Sequence, residues 1–92
     1  MYLEIVSQEK TLFNGDVQSV LVPGSDGSFQ MLDNHAPIVS TLIKGTVKIL
    51  GDINIPEELN DIFSNVSSNE THLSIVSGVV EIKENKVIIL TD

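Results

Sequence analysis

Along most of this chain, apolar and polar residues alternate with a period of two. Leu3 and Ile5 alternate with Tyr2 and Glu4, and Val17, Val20 and Val22 sit among Gln18 and Ser19. Thr46, Lys48 and Leu50 alternate with Val47 and Ile49. Further on, Leu73-Ser74-Ile75-Val76, Val79-Val80-Glu81-Ile82 and Val87-Ile88-Ile89-Leu90 are β-branched runs of strand length. A period of two sends successive side chains to opposite faces of a pleated strand, and β-branched residues fit that surface. Turn-forming pairs separate the runs: Asn14-Gly15, Gly24-Ser25-Asp26-Gly27, Asp33-Asn34, Lys44-Gly45, Gly51-Asp52, Ser77-Gly78 and Glu84-Asn85. Many short strands spaced by about 8–12 residues predict an all-β sandwich or barrel of two sheets. Asn14-Gly15 and Glu84-Asn85 read as tight hairpin connections, the first suited to a type I′ turn. Gly78, set inside an apolar run, marks a bulge or a bend where a strand passes from one sheet to the other.

One segment breaks the alternation. Between Ile53 and Asn69 the chain reads Pro56-Glu57-Glu58-Leu59-Asn60-Asp61-Ile62-Phe63, with apolar residues at 59, 62 and 63. Proline followed by acids is a helix-start signal, so a short helical turn is expected within residues 56–63. The remainder, through Asn65-Val66-Ser67-Ser68-Asn69-Glu70, reads as a solvated insertion between two strands.

Composition narrows the classes of function. Ninety-two residues make a single domain, residues 1–92, able to bury roughly two-thirds of its unfolded surface. The 41% apolar content excludes a disordered chain. Without cysteine there are no disulfides, no thiolate chemistry and no sulfur-ligated metal. No apolar run approaches the ~20 residues of a helical membrane span. Met1 leads straight into Tyr2-Leu3-Glu4-Ile5-Val6 without a basic stretch, so no signal peptide is expected and the chain reads as a soluble intracellular domain. The charge is lopsided: 13 acidic residues against 5 lysines, for a net −8. That balance disfavours nucleic acid and anionic lipid as partners, and direct lipid insertion with them. It suits solubility, or a protein partner bearing lysine or arginine.

No constellation of catalytic residues emerges. His35 and His72 belong to no metal-ligand spacing, and His72 reads as an ordinary polar residue. His35 either caps the strand opened by Pro37 or faces a partner. Ser77-Gly78 lacks a nucleophile elbow. Gly24-Ser25-Asp26-Gly27 has neither the lysine nor the strand–loop–helix context of a phosphate loop, and Asp26 would repel a phosphate. Glu57-Glu58 reads as solvated surface. The residues therefore point to a chain without enzymatic activity, metal, cofactor or small-molecule substrate.

The specific signal is the run Val22-Pro23-Gly24-Ser25-Asp26-Gly27-Ser28-Phe29 followed by His35-Ala36-Pro37-Ile38-Val39-Ser40. Ahead of it stand Leu3-Glu4-Ile5-Val6-Ser7-Gln8-Glu9 and Leu12-Phe13-Asn14-Gly15. After it come Lys44-Gly45, Ser77-Gly78-Val79-Val80-Glu81-Ile82 and Asn85-Lys86-Val87. In order and spacing these motifs resemble the amino-terminal domain of the epsilon subunit of rotary (F-type) ATP synthases, over nearly the whole chain. Gln30 stands where that family usually has glycine, Asp33-Asn34 replaces its Pro-Gly, and Ser28 occupies a position that is often acidic. The chain ends at Asp92, where the family's two-helix carboxy-terminal domain normally begins.

The resemblance implies a ten-stranded β-sandwich of the central stalk, held between the gamma subunit and the membrane c-ring at the cytoplasmic face of the inner (plasma) membrane. It implies a non-catalytic coupling role between proton flow and ATP synthesis. By position, Asp26, Ser28 and His35 would face the c-ring, whose loops carry a basic residue. Their loops, Gly24–Phe29 and Asp33–Pro37, are expected to converge at one end of the sandwich. Ser7, Ser40, Thr41 and Leu42 would face gamma. Without the helices, neither nucleotide binding nor inhibition of ATP hydrolysis is expected. The rival reading is a free-standing acidic β-sandwich adaptor for another basic protein. A cupin-like enzyme barrel is disfavoured by the missing His-x-His and glutamate ligands.

Overall fold

A computed structural model describes residues 1–92. Its ten strands are β1 (Tyr2–Val6), β2 (Thr11–Asp16), β3 (Ser19–Gly24), β4 (Gly27–Met31) and β5 (Ile38–Leu42). Then follow β6 (Gly45–Leu50), β7 (Phe63–Ser67), β8 (Glu70–Ile75), β9 (Gly78–Lys83) and β10 (Lys86–Thr91). They hydrogen-bond in the order β2-β1-β10-β9-β5-β3-β6-β8-β7, with β4 on the other side of β3. Only β1 and β10 run parallel; every other pair is antiparallel.

The path folds over at a narrow join. β3 and β5 pair at a single position, Gly24 opposite Leu42, so two layers meet there: β2-β1-β10-β9-β5 and β4-β3-β6-β8-β7. Leu3, Ile5, Val80, Ile82, Val87 and Ile89 of the first layer are fully buried, as are Val20, Val22, Met31, Val47 and Ile49 of the second. These residues fall at alternate positions, which is the period of two read from the sequence. Each contributes about 1.5–3 kcal/mol by leaving water, and a slip of one residue would turn a whole strand's set outward. The all-β, two-sheet expectation therefore holds.

Turn chemistry fixes much of the register. Glu84 (φ 53°) and Asn85 (φ 62°) both take left-handed backbone between β9 and β10, so the tight hairpin connection expected there is a two-residue primed turn. Gly27 (φ 122°) closes the β3–β4 hairpin opposite Gly24, with Ser25-Asp26 at its tip. The bend expected at Gly78 falls on Val76-Ser77, just before β9 begins. At Gly78 itself a Cβ would lie 2.5 Å from the Leu90 carbonyl oxygen, so close strand approach accounts for the glycine.

Two expectations are corrected. Asn14-Gly15 is no hairpin connection: it lies inside β2, opposite Glu4 and Leu3. The β1–β2 turn comes earlier, where the Ser7 hydroxyl accepts from the Glu9 and Lys10 N–H groups and donates to the Lys10 carbonyl. Such a serine-built turn carries no Asn-Gly pair to announce it. Gly15 leaves room for the Phe13 ring, whose Cζ would stand 3.1 Å from an added Cβ.

Nor is 53–69 a solvated insertion. The expected helical turn is a 3-10 turn at Glu57–Leu59 beginning after Pro56, but the chain then enters β7. Leu59 and Phe63, each 5% exposed, belong to the core. Of the five β7 residues only Phe63 is buried, because β7 pairs with β8 alone and borders the second layer. With Phe63 as its one buried residue, β7 has no apolar alternation for the sequence to display. The buried Thr71 hydroxyl next to it donates to Asn65 Oδ1 at 3.1 Å.

Candidate functional site

The hairpin tip is built by glycine. At Gly24 an added Cβ would stand 2.7 Å from the Gly27 carbonyl oxygen and 2.8 Å from the Phe29 ring, so β3 and β4 approach too closely for any side chain. The consequence is a narrow tip on which Ser25, Asp26, Gly27 and Ser28 are all exposed. This tip leans on β5. The Ser25 N–H donates to the Thr41 carbonyl at 3.0 Å, and the two hydroxyls lie 2.8 Å apart.

Of the sequence-predicted residues, the structure gathers Asp26 and Ser28 with Thr41 and Leu42 at one end of the molecule. Ser7 shares that end: it follows Val6, which is in register with Leu90, Val79 and Thr41 across four strands. Ser40 is part-buried, opposite Val80 on the inner side of β5, and Leu42 is buried.

His35 is not brought together with Asp26, which corrects the expected convergence of their loops. β4 runs away from the tip as far as Met31, and the chain turns at 32–35, where the His35 N–H donates to the Leu32 carbonyl. The Asn34 N–H donates to Asn85 Oδ1 at the β9–β10 hairpin, and Asp33 pairs with the Met1 amine. Lys83, beside that hairpin, is five residues along β9 from Gly78, which pairs with Leu42. At the rise of an extended strand this separation is about 16 Å. The two loops diverge because β4 is a full strand and its ends cannot meet. His35 Nδ1 donates to the neighbouring Ala36 carbonyl at 2.7 Å.

A larger feature went unread in the sequence. On the outer side of the first layer, Thr41, Val79, Leu90 and Val6 form one cross-strand row, and Val39, Glu81, Ile88 and Glu4 form the next. Val39 is 67% exposed, Leu90 52% and Val79 36%, which makes an open apolar band beside the hairpin tip. The signal was present in the doublets Val79-Val80 and Ile89-Leu90, where a strand is apolar at consecutive positions and so on both faces. Glu4 and Glu81 edge the band with negative charge, Glu4 lying 3.9 Å from Lys86 Nζ.

Elsewhere the surface holds little converging chemistry. His72 pairs with Glu70 on the outer side of the second layer, and no three His, Cys, Asp or Glu side chains converge as a metal site. A cleft of about 450 Å³ opens at the Ser7 end, floored by Leu12, Ile62, Leu73 and Val76. On its rim the Asp92 carboxylate accepts from the Thr91 hydroxyl and the Ser77 and Val76 N–H groups, which hold its pKa below the usual value, the hydroxyl most strongly. No helix is long and apolar enough to cross a membrane.

Residues 1–92 match the family model described as ATP synthase, Delta/Epsilon chain, beta-sandwich domain. The ATP synthase epsilon chain of Leptospira borgpetersenii serovar Hardjo-bovis (strain JB197) is 40% identical over 90 residues, covering 98% of this chain and 59% of that one. The ATP synthase epsilon chain of Chlorobium limicola is 36% identical over 90 residues, covering 98% and 86%. The present chain thus spans about three-fifths of the first relative's length. Among solved structures, a chain of the Tetrahymena thermophila mitochondrial ATP synthase central stalk/c-ring superposes with a TM-score of 0.74 at 17% identity. That likeness covers 99% of this chain and 62% of the other, and it shows a shared fold.

Proposed function

The chain belongs to the ATP synthase delta/epsilon β-sandwich family, and on that premise we propose that it is a non-catalytic rotor subunit of a rotary ATP synthase. It links the central-stalk gamma subunit to the c-ring and couples proton flow to ATP synthesis, as a peripheral subunit at the cytoplasmic face of the membrane. The observation that carries the reading is the family match along all 92 residues. Two surfaces serve the two contacts. The apolar band on the first layer, with Ser7, Ser40, Thr41 and Leu42 around and beneath it, suits a protein partner that covers apolar surface and meets Glu4 and Glu81 with lysine or arginine. The hairpin tip suits the polar loops of a ring, with Asp26 facing a basic side chain and Ser28 beside it. His35, at the far end, contacts a different part of the rotor than Asp26 does.

The reading is tested in membranes whose ATP synthase has lost its epsilon chain. Adding this chain should restore ATP-driven proton pumping relative to ATP hydrolysis. Asp26→Lys should leave hydrolysis intact while pumping falls, by the equivalent of a few kcal/mol if the contact is dry and under about 1 if it stays wet. Glu57→Lys, on the 3-10 turn, should pump like the unmodified chain. Equal pumping by the two variants at equal hydrolysis removes Asp26 from the ring contact.

A further inference from the structure

We propose that Ser25 is a positioning residue, which fixes the Asp26 tip against β5 so that the ring-facing loop and the stalk-facing strand move as one body. This inference rests on the reading of Asp26 given above. The corner between the layers is built without slack. Gly24 pairs with Leu42, the Ser25 N–H donates to the Thr41 carbonyl at 3.0 Å, and the Ile43 N–H donates to the Pro23 carbonyl at 2.9 Å. Both flanking glycines sit where a side chain has no room. An added Cβ would lie 2.7 Å from the Gly27 carbonyl oxygen at Gly24 and 2.9 Å from Pro23 Cβ at Gly45. These backbone constraints end at Ser25. Beyond it the tip has one side-chain tie to the rest of the molecule, the Ser25 hydroxyl 2.8 Å from the Thr41 hydroxyl.

Thr41 lies on the outer row of the first layer, in register with Val79. The hydroxyl pair therefore adds a side-chain bond to the backbone bond that already joins the proposed ring contact to the edge of the proposed stalk contact. A two-residue tip tied on one side transmits a push on Asp26 into β5. A tip left with the Ser25 backbone bond alone yields further to that push about the Gly24–Gly27 pair, and part of the displacement at the ring is lost before it reaches the stalk. Ser25 itself touches neither partner in this arrangement; it sets where Asp26 stands.

The test compares Ser25→Ala, Ser25→Thr and Asp26→Lys in the assembled, membrane-bound enzyme, reading protons pumped per ATP hydrolysed, retention of the subunit in the complex, and its melting temperature. Ser25→Ala should lower the pumping ratio about two- to threefold, the scale of losing one neutral hydrogen bond, with retention unchanged and melting lowered by no more than about 5 °C. Ser25→Thr keeps the hydroxyl and should pump as the unmodified chain does. A full ratio in Ser25→Ala, or an equal loss in Ser25→Thr, overturns the role of Ser25. A full ratio in Asp26→Lys instead overturns the ring contact, so the two failures are distinguishable. A loss in Ser25→Ala accompanied by a fall in melting temperature well beyond that of one hydrogen bond also overturns the proposal, because the hydroxyl would then be holding the fold rather than the tip.

Discussion

The two layers of this sandwich have equivalent inner faces and opposite outer ones. Inward, Leu3, Ile5, Val80 and Ile89 in one layer answer Val20, Val22, Val47 and Ile49 in the other, all fully buried. Outward, the layer β2-β1-β10-β9-β5 shows Val6, Val39, Val79, Ile88 and Leu90 in two adjacent rows, which also hold Thr41, Glu4 and Glu81. The layer β4-β3-β6-β8-β7 shows Gln30, Lys48, His72 and Ser64 in one cross-strand row and Thr46 with Ser74 in another. Its outward Leu21 and Leu50 are part-buried. Folding needs only the inner faces to be apolar. An apolar outer face on one layer costs solubility and adds nothing to the core, which is the property expected of a surface that the proposed stalk partner covers.

That contrast breaks first in the core. If the inner faces are equivalent, Ile89→Ala in the first layer and Ile49→Ala in the second should each cost about 2–5 kcal/mol, since both leave a cavity between neighbouring strands. Against the 5–15 kcal/mol typical of small domains, either change is a large fraction of the whole. Chemical denaturation of each variant measures it. A cost confined to one layer would mean that the other outer face, not the shared core, holds its strands in place.

The outer faces should then separate cleanly. Leu90→Asp places a carboxylate in the apolar band, and binding to the stalk partner should fall by at least tenfold, about 1.4 kcal/mol or more. Fold stability should change by less than about 1 kcal/mol, because Leu90 is already half exposed. His72→Asp on the polar face should leave the same binding within about twofold. Affinity can be read by titrating the purified stalk subunit. Equal losses from both faces would end the assignment of the band.

Why the inner faces were legible from sequence and the outer ones were not follows from the same contrast. Alternation registers a strand only where one side is apolar and the other polar. β1 and β6 satisfy that condition and were read directly. β8 alternates too, but it was read from the β-branched run Leu73-Ser74-Ile75-Val76, so its start at Glu70 was missed. β9 and β10 were read as strands from their β-branched content, but their doublets Val79-Val80 and Ile89-Leu90 hid which side faces water. β7 failed in the opposite sense, with only Phe63 buried. Asn14-Gly15 carried turn chemistry that Ser7, forming the turn earlier, had already made unnecessary. At the candidate site, the place of Asp26 and Ser28 on a turn was legible because glycine spacing announces it. The place of His35 was not, since it depends on the length and direction of β4. The joining of Ser25 to Thr41 needs the β3–β5 pairing, which no local pattern encodes.

The smallest expected effect sits where the chain passes from the polar-faced layer to the apolar-faced one, at Val76-Ser77 between β8 and β9. Asp92 holds that passage, its carboxylate accepting from the Thr91 hydroxyl and the two backbone N–H groups, and its pKa is lowered from the usual 3.8. A carboxyl whose pKa is lower folded than unfolded stabilises the fold above the unfolded value and stops doing so as pH falls through the folded one. Melting temperatures of the native chain and Asp92→Asn should therefore differ slightly at pH 7, and the difference should close as pH drops below 3.8 and through the lowered value. Thr91→Val removes the strongest donor, so an NMR titration of the Asp92 carboxyl should move back toward its ordinary midpoint in that variant. The Val76 and Ser77 N–H groups keep part of the shift, because they donate from the backbone and survive the substitution. An Asp92 midpoint unchanged by Thr91→Val would leave the backbone groups as the whole cause. A midpoint at or above the usual value in the native chain would mean that Asp92 does not hold the passage between the two layers.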